Sequence, residues 1–184
     1  MKILALTIII TLMSVFEANA EPSADGFFTN LHSLCGEKFV GSMTFPVDGQ
    51  DSFKGKTLVA EFTNCDDDVV RVPFNVGEDA SRTWIFSKTP QGLRLKHEHL
   101  LKDGSIDPIS DYGGDSVNSK ERLNDSSLSR SFPADSFTQQ LIPEAATNVW
   151  TVSLSADLQI LTYHLERHNK ARFTAVLERQ SNTK

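Results

Sequence analysis

Cysteine is scarce in this chain of 184 residues: only Cys35 and Cys65 occur, and no Cys-x-x-Cys spacing links them. That excludes a multi-bridge miniature scaffold and the closely spaced thiol pair of a redox enzyme. Long apolar runs are missing beyond the first twenty positions, so no membrane-spanning helix is expected and the protein is not read as an integral membrane protein. A basic stripe is missing as well, and the formal net charge is −6, which excludes a nucleic-acid backbone as partner. The basic residues near the C-terminus (Arg167, Lys170, Arg172, Arg179, Lys184) are interleaved with Glu166 and Glu178 and read as a solvated strand face. There is no Gly-x-Ser-x-Gly elbow for a nucleophilic serine and no phosphate-cradling glycine loop.

What is present begins with Lys2, an apolar stretch from Ile3 to Phe16, and Ala18-Asn19-Ala20. This is the pattern of a signal peptide over residues 1–20, cleaved before Glu21, so the protein is expected to be exported, periplasmic or secreted. Residues 21–184 suit a single domain with its own core. In an oxidising compartment Cys35 and Cys65 are expected to form a structural disulfide.

The apolar residues Phe27, Leu31 and Leu34 recur at helical spacing before Gly36 and predict a short N-terminal helix. Thereafter the period is two. A strand from Phe39 to Phe45 and another over 56–63 form a hairpin, with Phe39 set opposite Phe62, Gly41 opposite Ala60 and Met43 opposite Leu58. Cys35 and Cys65 then lie at its outer ends, one residue out of register. Further strands are expected over 69–74, 82–88, 92–99, 148–154, 159–167 and 171–178, separated by signals such as Pro90-Gln91-Gly92 and Asn169-Lys170.

Residues 113–135 turn polar and serine-rich and read either as a long mobile loop over one end of the domain or as a disordered insert. Ser136-Phe137-Thr138-Gln139 then fits a capping box opening a short helix with Phe137, Leu141 and Ala145 on one face, disturbed by Pro143. Many consecutive short strands predict an all-β, antiparallel β-barrel of lipocalin or calycin type with two short helices; the alternative is a β-sandwich.

Among residues that could carry chemistry, Leu93-Arg94-Leu95-Lys96-His97-Glu98-His99 is the sharpest segment. On a strand, His97 and His99 share the apolar face and could start a zinc site, with His164, His32 or a carboxylate from Asp103, Asp107 or Asp111 as third ligand; otherwise they are hydrogen-bonded to neighbours or water. Asp103, Asp107, Asp111 and Asp115 recur every four residues but lack the EF-hand spacing and read as turn formers. Arg82 shares a strand face with Trp84 and Phe86, where it either anchors an anionic group or forms an internal ion pair. Trp84, Trp150 and Tyr163 either line a pocket or belong to the core. Asn124-Asp125-Ser126 meets the glycosylation sequon.

The segments Leu34-Cys35-Gly36, Ser81-Arg82-Thr83-Trp84, the His-x-His strand, Tyr112-Gly113-Gly114 and Asn148-Val149-Trp150 together resemble those of a group of uncharacterised exported bacterial proteins. The resemblance implies bacterial origin and export, and no activity. A looser similarity is to lipocalin-like barrels, with Gly36-Glu37-Lys38-Phe39 standing where those proteins carry Gly-x-Trp. Three functions are compatible with these features. One is a non-enzymatic binding module for a small, partly apolar ligand, with Arg82, Trp84, His97 and His99 as ligand-binding candidates. The others are a metal-dependent enzyme built on His97, His99 and His164, and an envelope interaction protein without a pocket.

Overall fold

The computed structural model describes residues 24–45, 53–117 and 125–181. The expected leader, Pro46 to Ser52 of the first hairpin, and Asn124 of the sequon lie outside the described residues. A helix α1 (Ala24–Ser33) is followed by strands β1 (Lys38–Phe45), β2 (Leu58–Glu61), β3 (Asn64–Cys65), β4 (Val69–Val76), β5 (Asp79–Thr89), β6 (Gly92–His99), β7 (Tyr112–Val117) and β8 (Ser129–Pro133). A helix α2 (Ser136–Leu141) and a 3-10 turn (Pro143–Ala145) lead into β9 (Val149–Leu154), β10 (Ile160–Arg167) and β11 (Lys170–Arg179).

Among the described residues the strands run in one hydrogen-bonded path, β7-β6-β5-β4-β2-β1-β11-β10-β9-β8, with β3 paired to β4 beside it. All the pairings are antiparallel, as tight turns between successive strands require. The path curls into a nearly closed all-β barrel rather than splitting into two stacked sheets. Alternation fills its interior: Val70, Val72 and Phe74 of β4, Leu93 and Leu95 of β6, Val152 of β9, Leu161 of β10 and Ala175 and Leu177 of β11 are all buried in one core.

The two strands at the ends of the path, β7 and β8, meet through a single bridge, Gly114 to Ala134. A Cβ at Gly114 would fall on the Pro133 carbonyl oxygen, so only glycine lets the backbones approach there. Beside it the buried Thr138 hydroxyl takes the place of a strand neighbour. It accepts from Gly113 N–H and donates to Gly113 C=O, each at 2.7 Å.

Three expectations are corrected. The first hairpin pairs Phe39 with Ala60 and Gly41 with Leu58, two residues away from the expected register. Phe62 lies beyond the strand, where its N–H donates to Glu37 C=O at 2.9 Å, although the Phe39 and Phe62 rings still touch with centroids 5.8 Å apart. A slip of two keeps every side chain on its own face, so the hydrophobic pattern does not distinguish the two registers. Second, the 113–135 stretch is not one loop, because its two ends form β7 and β8. Third, the cap of α2 is Asp135, whose carboxylate accepts from Thr138 N–H at 2.8 Å, and Phe137 of the expected apolar face is 48% exposed.

The Cys35–Cys65 disulfide is formed, with Cα atoms 6.1 Å apart, and fastens the end of α1 to β3. Its 30-residue separation corresponds to roughly 3 to 4 kcal/mol of stabilisation in the chain-entropy treatment. From there α1 lies across one end of the barrel, burying Phe27, Phe28, Leu31 and Leu34 in the core. Among the described residues no helix is long and apolar enough to cross a membrane.

Candidate functional site

The end of the barrel opposite α1 contains a cavity of about 350 Å³. It is framed by the second half of β4, β6 and β10, the first half of β5, β7, β9 and β11, and the α2 connection. Its floor is aromatic because inward positions on neighbouring strands carry rings. Trp84 stacks between Phe74 (4.4 Å between centroids) and Tyr163 (4.5 Å), and His97 stacks on Tyr112 at 4.6 Å with Trp150 alongside at 5.2 Å.

His97 is buried in this floor. Its Nδ1 lies 3.1 Å from the Tyr112 carbonyl, which only accepts, so Nδ1 carries the proton. Nε2 is then an acceptor, and the Tyr163 hydroxyl donates to it at 2.7 Å. Burial pushes the imidazole down from its ordinary range to about 4, so it is neutral at physiological pH. The same burial pushes the Tyr163 phenol well above its usual range, which keeps its proton available for donation.

His99 shares the face of His97 but sits at the rim. Asp107 Oδ2 lies 3.1 Å from its Nδ1, and Ser81 Oγ lies 3.0 Å from its Nε2. The order carboxylate, imidazole, hydroxyl is that of a hydrolase triad, and the surroundings of the hydroxyl oppose that role. The Ser81 N–H is occupied by Asp79 Oδ1 at 3.0 Å, and the Ser81 hydroxyl is itself the largest cause of the lowered Asp79 pKa. An oxyanion forming beside Ser81 would face this carboxylate instead of donors. The arrangement braces the loop between β6 and β7 against β5.

His164 occupies the outward face of β10, where Thr174 Oγ1 lies 2.7 Å from its Nδ1 and Glu166 Oε1 lies 3.6 Å from its Nε2. The expected trio of His97, His99 and His164 therefore does not converge. Among the described residues no three His, Cys, Asp or Glu side chains gather as a metal site. The four-residue aspartate series disperses too: Asp103 and Asp107 cap turns at Ser105 and Ile109, and Asp115 forms a two-pronged pair with Arg94 at 2.7 and 2.9 Å.

Arg82 adopts the ion-pair alternative, with Asp79 Oδ2 at 2.5 Å, while its guanidinium also lies 5.5 Å from the Phe53 ring centroid at the cavity mouth. Trp84, Trp150 and Tyr163 line the cavity together. Most of the apolar lining, Phe74, Tyr112 and Phe173 among it, and two polar lining residues, Asn148 and Arg167, are not among the candidates that the sequence offers, and Arg167 lies in the cavity wall rather than on a solvated face. The signal for Arg167 was its period, since it follows Tyr163 and Leu165 at steps of two on β10. Comparison with protein-family models, with curated proteins and with solved structures finds no match to this chain.

Proposed function

We propose that this is an exported, non-enzymatic binding module that takes a small, partly apolar molecule into the open end of its barrel. The observation that carries this reading is the aromatic-floored cavity. A volume of about 350 Å³ falls within the size range of small-molecule sites, and the walls combine a mostly apolar surface with a few fixed polar groups. The other end of the barrel is filled by α1, so the mouth is the way in. Export is supported by the leader pattern in residues 1–20 and by the disulfide, which persists in oxidising compartments.

The test is titration of the processed protein with N-phenyl-1-naphthylamine, a neutral apolar dye that brightens out of water. Saturable one-to-one binding is expected, and Leu165→Trp, which adds bulk to the cavity wall, should weaken it at least tenfold. No saturable binding, or binding indifferent to Leu165→Trp, would remove the cavity from the function.

A further inference from the structure

The charge around the cavity runs against that of the chain. The protein as a whole is acidic, at −6, yet the cavity lining includes Arg82 and Arg167 and no aspartate or glutamate among the described residues. Arg82 is neutralised by Asp79. Arg167 is held differently: its Nε donates to Asn148 Oδ1 at 2.8 Å, and no carboxylate pairs with it among the described residues. Glu166, its neighbour in sequence, is turned to the outer face with His164. One uncompensated positive charge therefore stands at the wall of an apolar cavity.

The side chain is also oriented. Asn148 is buried and presents its oxygen to Arg167, since a guanidinium only donates. The terminal nitrogens of Arg167 and the amide nitrogen of Asn148 then remain as donors, with no protein acceptor among the described residues. A neutral apolar ligand would strip water from these donors without replacing it, a loss that an anionic oxygen pair offsets through charge-assisted bonds.

Resting on the binding reading above, we infer that the ligand is an amphipathic monocarboxylate. Its carboxylate pairs with Arg167 beside Asn148, and its apolar body lies over the Trp84, Tyr163 and Trp150 floor. The single unbalanced charge selects a monoanion over a phosphate dianion.

Three probes sharing one ring system separate the contributions: 2-naphthoate, the neutral 2-naphthylmethanol, and 2-naphthyl phosphate, each measured by calorimetry on the processed protein. Naphthoate should bind at least tenfold more tightly than the alcohol and more tightly than the phosphate. Arg167→Gln should bring naphthoate down to the affinity of the alcohol while leaving the alcohol within about twofold, which also reports an intact cavity. Arg167→Lys, which keeps the charge and loses the planar fork, should fall between. Equal binding of alcohol and carboxylate, tighter binding of the phosphate, or a naphthoate affinity unmoved by Arg167→Gln would each overturn the inference. If N-phenyl-1-naphthylamine binds and naphthoate does not, the carboxylate assignment alone fails. If neither binds, the binding function fails with it.

Discussion

The two ends of the barrel solve the problem of buried polarity in opposite ways. At the end closed by α1, Arg130 projects inward from β8 with 1% of its side chain exposed, and Asp125, at 2%, meets it at 3.2 Å. Asp125 also accepts from Ser116 Oγ at 3.1 Å and from Ser131 N–H at 2.9 Å, so the charges are answered within the protein. At the open end His97 is buried neutral and Arg167 has no carboxylate partner among the described residues. The first end answers its charges with a carboxylate of the chain itself, and the second leaves donors of Arg167 and Asn148 without a protein acceptor among the described residues. Buried polar groups therefore report function by how their partners are supplied, rather than by their presence.

The comparison breaks most visibly at Asp125. Asp125→Ala would remove the carboxylate that meets Arg130 and that accepts from Ser116 and Ser131, and we expect a loss of about 3 to 5 kcal/mol in chemical denaturation. Joint replacement, Asp125→Leu with Arg130→Met, should recover much of it, because a packed apolar pair avoids the desolvation of both charges. A small loss for the single variant would show that the closed end does not depend on this network.

The open end should answer to pH instead. The His97 imidazole titrates near 4 in the folded barrel and near its ordinary 6.5 in the unfolded chain, so between these values the unfolded state binds more protons. Stability should therefore fall as pH drops from 6.5 towards 4 by roughly 3 kcal/mol, and this contribution should level off below 4. His97→Gln should flatten that part of the profile, measured as denaturation midpoint against pH. An unchanged slope would mean that another group governs the acid response.

The smallest effect is expected at the rim. Ser81→Ala removes a hydroxyl that braces His99 in partly exposed surroundings, and should cost at most about 1 kcal/mol. Ser81 should also remain unlabelled by a fluorophosphonate, read by intact mass. Covalent labelling at Ser81 would reinstate the Ser81, His99 and Asp107 arrangement as a catalytic device and displace the non-enzymatic reading.

Much of the barrel was legible because strands with one buried face write their period into the sequence: β4, β6, β9, β10 and β11 alternate cleanly, and the cysteines flank the first hairpin. The exceptions share a cause. In β7 the inward alternation is written with Gly114 and Ser116, and in β8 with Arg130, so residues chosen for close approach and for an internal ion pair look like loop. At the site, the histidine pair drew attention as metal ligands because sequence shows shared faces and not depth. Depth separates them: His97 is sealed into the ring stack, whereas His99 reaches the rim and its carboxylate. Arg167 was hidden by its acidic and basic neighbours, whose alternation sends them outward while it turns in.

The pairing of β1 with β11 has a consequence for how the molecule comes into being. Phe39 lies opposite Arg179, so the earliest strand waits for the last before its second edge is covered. Until β11 has emerged, β1 and β10 each keep an open edge, and such distant pairing is slow to find. A chain assembled in this way commits to its closed shape only once β11 is available to pair with both β1 and β10.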